Sequence, residues 1–224
     1  RSSDLATILF DGAMSHAKVY VNGQEVGYWP YGYNSFYFDI TKQLMPGKKN
    51  TLAVRLENLP ESSRWYPGAG LYRNVHVIVT ENAHIPVWGT YVTTPTATKE
   101  FAKVNVRTQI VLLEGADAGK YSVKTSVWNP NGQKLTEQTI PLSQIKYNDN
   151  SLSQEFIIQT PTLWSPDMPA LYSAETRLYE GDQLKDIYTT PFGIRSIEII
   201  PNKGFFLNGE KTVFKGVCNH HDLG

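Results

Sequence analysis

A single cysteine, Cys218, stands in a chain of 224 residues, so no disulfide forms within it and neither a cysteine-rich zinc site nor a CxxC redox pair can be built. That count leaves the compartment open. An excess of one charge is missing too: Lys+Arg and Asp+Glu are both 21, and a formal net charge of zero provides no field to draw in nucleic acid or an anionic membrane surface. No apolar stretch reaches the ~20 residues that cross a bilayer as a helix. The opening Arg1-Ser2-Ser3-Asp4 lacks the charged, apolar and small-residue order of a signal peptide, which leads to the expectation that the true N-terminus lies upstream.

What the sequence does contain is alternation with a period of two. Lys18-Val19-Tyr20-Val21 and Glu25-Val26-Gly27-Tyr28 flank Asn22-Gly23, whose tolerance of positive φ suits a tight turn between antiparallel strands. Phe36-Tyr37-Phe38, Thr51–Leu56 and Val75–Val79 read as further strands, separated by turn-rich pieces such as Met45-Pro46-Gly47. No helical repeat of comparable strength accompanies them.

After Asn82 the rhythm changes. Val104–Ile110, Tyr121–Trp128, Glu155–Ile158 and Leu171–Leu178 alternate, with turn signals at Asn129-Pro130-Asn131-Gly132 and Glu180-Gly181-Asp182. Short strands spread over about a hundred residues fit an immunoglobulin-like sandwich without the cysteine pair of antibody domains. A third piece starts near Arg195: Asn208-Gly209 between Phe205-Phe206-Leu207 and Thr212-Val213-Phe214 predicts another hairpin, and Gly216-Val217 continues toward Cys218-Asn219-His220-His221-Asp222. Residues 195–224 are too few to close a core, so the chain is expected to stop inside a third domain.

Several short motifs follow one another in a recognisable order. Phe10-Asp11-Gly12, Val19-Tyr20-Val21-Asn22-Gly23, Phe38-Asp39-Ile40-Thr41 and Trp65-Tyr66-Pro67-Gly68-Ala69-Gly70-Leu71-Tyr72-Arg73-Asn74-Val75 come first. Leu163-Trp164-Ser165-Pro166, Pro169-Ala170-Leu171-Tyr172, Phe192-Gly193-Ile194-Arg195 and Phe206-Leu207-Asn208-Gly209 come next, before Lys215-Gly216-Val217. Together they resemble glycoside hydrolase family 2, best known for its β-galactosidases, over nearly the whole chain.

The resemblance implies an all-β chain in three pieces: the C-terminal part of a jelly-roll sugar-binding-like domain (1–83), an immunoglobulin-like β-sandwich (84–194) and the first strand region of a (β/α)8 catalytic barrel (195–224). Active sites of such barrels lie at the C-terminal ends of the strands, so the polar residues after Val217 would emerge at the floor of the sugar pocket. His220 matches the family's sugar-contacting histidine. His221 stands where many relatives carry Glu, and Cys218 where they commonly carry Asn. In some relatives the loop before the Trp65-Tyr66 motif reaches the active-site rim, which would bring Ser63 and Arg64 to the substrate. The guanidinium of Arg64 could clamp hydroxyls or a carboxylate, or form an interdomain ion pair. Trp65 and Tyr66 suit packing against the next domain better than sugar stacking.

A metal is not expected at His220-His221-Asp222, because neighbouring side chains on an extended segment point to opposite faces. No cofactor is implied. Retaining glycosidases use two carboxyl groups about 5–5.5 Å apart; in this family both are glutamates on later barrel strands, and no catalytic residue is assigned here. Glu155, Glu175, Glu180 and Glu198 fall in the sandwich or the linker. The implied function is that of a non-catalytic accessory portion of a retaining β-glycosidase whose carbohydrate substrate is a β-galactoside. A β-glucuronidase or β-mannosidase of the same family, and a stand-alone carbohydrate-binding module, stay open beside it. Nucleic acid and membrane partners are not expected, whereas open strand edges favour association between copies into a homo-oligomer.

Overall fold

The computed structural model describes residues 4–61, 68–112, 114–144 and 151–218. Among them regular structure is almost wholly strand, the helical pieces being three-residue 3-10 turns at Thr41–Gln43, Ala118–Lys120 and Leu142–Gln144. The chain divides into two compact units, the second of which takes Asn82–Lys215.

The first unit has six described strands: β1 (Leu5–Phe10), β2 (Ala17–Val21), β3 (Gln24–Trp29), β4 (Phe36–Asp39), β5 (Leu52–Arg55) and β6 (Val75–Thr80). They pair antiparallel in two three-stranded sheets, in the orders β4-β1-β6 and β3-β2-β5. Period two decides the packing. Ala6, Ile8 and Phe10 of β1 and Ala17, Val19 and Val21 of β2 turn into one shared core, joined by Phe36 and Ile40. The Asn22-Gly23 hairpin forms as its sequence predicts, with φ of 51° and 81° at the two turn residues.

Aromatic rings dominate this core. Phe36 stacks on Phe10 with centroids 4.9 Å apart and on Trp29 at 5.7 Å, and Phe38 tilts against it at 5.7 Å. Gly27 lies opposite Val19 on the core side, where a Cβ would overlap the Phe38 ring.

The second unit packs a four-stranded sheet, β10-β9-β12-β13, against a three-stranded one, β11-β8-β7. The strands are β7 (Thr90–Ala97), β8 (Phe101–Gln109), β9 (Tyr121–Trp128), β10 (Lys134–Pro141), β11 (Ser151–Gln159), β12 (Tyr172–Glu180) and β13 (Gln183–Phe192). Its core falls into two apolar halves, one around Val104, Val127, Phe156 and Ala174, the other around Val123, Leu152 and Leu178. Between them lies a polar layer. Thr125, Gln154 and Thr176 each stand between an apolar residue of one half and an apolar residue of the other along their strands. Thr125 Oγ1 donates to Gln154 Oε1 at 2.6 Å, and Gln154 Nε2 donates to the Gln138 carbonyl at 2.9 Å.

Gln154 is only 1% exposed, so truncating it strands partners that water cannot reach. Gln154→Ala is expected to cost about 1–3 kcal/mol in urea unfolding, and Gln154→Leu less, because the leucine refills the volume. Equal costs for the two variants would show that the lost volume contributes nothing and that the stranded hydrogen-bond partners carry the whole effect.

On the outer face of the β9–β10 pair, Glu137 sits 2.8 Å from Lys134 Nζ and 3.1 Å from Lys124 Nζ. Hydrogen bonds from Lys134 and then Lys124 pull its carboxyl down to about 2. A carboxyl held lower in the folded than in the unfolded state stabilises above the unfolded value and loses that contribution as pH falls through the folded one. Acidification from the ordinary carboxylate range toward pH ~2 should therefore erode this contribution. In Glu137→Gln that part of the pH dependence of thermal unfolding should vanish. The pair is exposed, so the effect is small.

A last three-stranded sheet, β14 (Ile197–Ile200), β15 (Gly204–Leu207) and β16 (Glu210–Lys211), follows in chain order. A latch ties it to the preceding strands. Asn208, at φ 53° in the turn, donates to the Trp164 carbonyl at 3.0 Å and accepts from Ser196 N at 3.0 Å. Trp164 lies close against Gly193, and the Arg195 guanidinium covers its ring at 4.7 Å. Motifs far apart in sequence thus meet as one structural joint.

The strands expected at Thr212-Val213-Phe214 and Gly216-Val217 do not form: residues 212–218 carry no regular structure, and Val217 is 87% exposed. A strand takes its stability from a run of ladder bonds, and the backbone bond from Thr212 N to the Phe205 carbonyl at 2.9 Å does not extend into one.

Candidate functional site

Four stretches converge at one end of the first unit. The segment Asp11–His16 leaves β1, residues 30–35 join β3 to β4, and both flanks of the long β5–β6 connection return to the same place. Ser15 Oγ donates to the Glu57 carbonyl at 2.9 Å, and Glu57 N donates to the Ser15 carbonyl at 2.9 Å. Met14 and Gly70 exchange backbone hydrogen bonds of 3.0 and 3.1 Å. Asp11 N donates to the Asn74 carbonyl at 3.0 Å, and His76 Nε2 lies 3.0 Å from Asp11 Oδ2. The connection that carries Arg64 therefore leaves from and returns to the Asp11–Ser15 segment.

Arg64 itself lies outside the described residues, as do Ser63, Trp65 and Tyr66, and as do His220, His221 and Asp222 at the other end of the chain. The described residues that bracket Arg64 are brought together; those leading to His220 end in the irregular segment 212–218.

The β3–β4 loop is pinned from both sides. His16 N donates to the Pro30 carbonyl at 3.1 Å, Tyr72 Oη donates to the Gly32 carbonyl at 2.7 Å, and Ser35 Oγ donates to the Asp11 carbonyl at 3.1 Å. At Gly32 a side chain would overlap Met14 Sδ, so glycine lets the loop lie flat on the segment beneath it. From this loop Tyr31 and Tyr33 project, 54% and 53% exposed, with ring centroids 5.6 Å apart at 60°. Beside them the Tyr28 hydroxyl and His16 Nδ1 are 2.6 Å apart.

Strand alternation does not single out this tyrosine pair. The signal was present: seven aromatics fall within residues 28–38. Alternation could assign Trp29, Phe36 and Phe38 to a core, but residues between two strands follow no period.

The glutamates of the second unit are occupied on strand surfaces. Glu155 faces Lys103 at 3.6 Å, Glu175 faces Arg177 at 2.9 Å and Glu180 faces Lys185 at 3.0 Å. Glu198 lies on β14, opposite Phe206. Among the described residues no group of three His, Cys, Asp or Glu side chains is arranged to hold a metal ion.

Residues 83–195 match the family Glycosyl hydrolases family 2, and residues 2–81 match its sugar binding domain. The chain belongs to glycosyl hydrolase family 2. Relatives in the family include the β-galactosidase BoGH2A of Bacteroides ovatus, 38% identical over 97% of this chain and 26% of the relative. A β-glucuronidase of Bacteroides fragilis is 30% identical over 95% of this chain and 32% of its own length. Among solved structures, a family 2 member from Bacteroides cellulosilyticus superposes with a TM-score of 0.89 at 34% identity, covering 98% of this chain and 30% of that one. This chain thus spans about a quarter of the Bacteroides ovatus relative.

Proposed function

We propose that this chain is the non-catalytic accessory portion of a retaining β-glycosidase acting on β-galactosides. The observation that carries the reading is the 38% identity to the β-galactosidase BoGH2A, sustained over 97% of the chain. In this reading residues 1–83 are the C-terminal part of a jelly roll, 84–194 form an immunoglobulin-like sandwich and 195–224 lead into a (β/α)8 barrel. The two glutamates that act as acid/base and nucleophile lie on barrel strands beyond residue 224. Arg64 and His220 contact the sugar. An imidazole at position 220 donates to or accepts from a hydroxyl without carrying charge, and the Arg64 fork holds hydroxyls through fixed donors.

A second reading, β-glucuronidase, is supported by the relative from Bacteroides fragilis. The two readings separate on one measurement. A protein extended through the barrel should hydrolyse 4-nitrophenyl β-galactoside faster than the β-glucuronide, while the present 224 residues hydrolyse neither. In the extended protein His220→Ala should lower kcat/KM about tenfold, the loss of one good hydrogen bond to substrate. Preference for the glucuronide would move the assignment to the second reading. Turnover by the 224-residue chain alone would overturn both.

A further inference from the structure

We infer that Tyr31 and Tyr33 form a stacking platform for a neutral saccharide on the first unit. The inference rests on the family's carbohydrate reading and adds to it the residues and the class of sugar.

The exposure of the pair is not a matter of loose chain. Hydrogen bonds at Pro30, Gly32 and Ser35 fix the loop along its length, and the close seat of Gly32 on Met14 removes the room in which it could fold back. A loop held this firmly keeps two large rings half in water when the same chain packs Trp29 against the core immediately before it and buries Phe36 immediately after it. Large aromatics contribute most to stability when buried, so a rigid loop that withholds two of them from the core is shaped for contact with something else.

The chemistry of the surface selects the partner. Residues 27–38 contain no charged side chain; their polar groups are hydroxyls, an amide and the indole N–H. In the neighbouring β5–β6 connection, which also carries Arg64, the Arg73 guanidinium lies over the Tyr72 ring at 5.7 Å. A phosphorylated or acidic ligand would call for cations along the loop, and none is there. A neutral sugar presents an apolar C–H face with hydroxyls at its rim, which complements an aromatic face with a polar tip. Because the two rings meet at 60°, they cannot both stack flat on one pyranose. One supplies the stacking face and the other forms the side wall with its hydroxyl.

The test is a titration of the ¹⁵N-labelled chain with lactose, followed by amide chemical shifts. Saturable shifts centred on residues 28–35, with a millimolar Kd, are expected. Tyr31→Ala or Tyr33→Ala should weaken binding about tenfold, and the corresponding Phe variant should keep it within about threefold, since the ring is retained. Both tyrosines are exposed, so circular dichroism of the variants should match the parent. The inference is overturned if lactose produces no saturable shift, if the shifts centre elsewhere, or if both alanine variants bind as the parent does. Its failure is distinct from failure of the functional reading. An extended protein that prefers β-glucuronides would refute the β-galactosidase assignment while a Tyr-dependent lactose titration stood, and the converse pair of results would refute only the platform.

Discussion

Phe36→Ala is expected to lower the stability of the first unit by about 3–5 kcal/mol, a large share of what a small unit has. The ring touches three others, Phe10 at 4.9 Å, Trp29 at 5.7 Å and Phe38 at 5.7 Å, so its removal leaves a cavity bounded by rigid aromatics that cannot collapse into it. Urea unfolding followed by amide exchange on β1, β2 and β4 should show the loss in those strands. Phe36→Leu, which keeps most of the volume, should cost about 1.5 kcal/mol or less. The loop bearing Tyr31 and Tyr33 starts after Trp29 and ends before Phe36, so the alanine variant should also release the loop and broaden its amide signals. A cost below about 1 kcal/mol would mean that the ring stack is not the centre of this core.

Gly27→Val should cost at least about 3 kcal/mol, through overpacking. The position faces inward opposite Val19, and any Cβ there falls on the Phe38 ring. Phe38 cannot simply swing away, because it packs on Phe36. The prediction has an internal control: combined with Phe38→Ala, Gly27→Val should cost about 1–2 kcal/mol less than it does alone, since the clash partner is gone. Additive costs would place the effect of Gly27→Val in the backbone and not in the ring contact.

Strand alternation made much of the fold legible. Val19, Val21, Val104, Val106, Val123 and Val127 occupy the inward positions that their spacing predicts, and both Asn-Gly pairs close hairpins. Other strands escaped notice because their patterns are mixed. In β7, β10 and β13 threonine, lysine, glutamine and proline interrupt the apolar positions, and pairing with a stronger neighbour holds each of them as strand. The motifs that revealed the family were legible as words, while their physical role was not. Only the fold shows that Trp164, Gly193, Arg195 and Asn208 form one joint.

The sequence by itself determined the strand class, the tight turns and the family, because each is written in local spacing or in short residue strings. Which faces are covered was decided by tertiary structure alone. Val77 and Val79 share a face with Ile8 and Ala6, their register partners in β1, yet they are 62% and 60% exposed while Ile8 and Ala6 are buried. Periodicity says which way a side chain points; only the neighbouring elements decide whether anything lies there to exclude water.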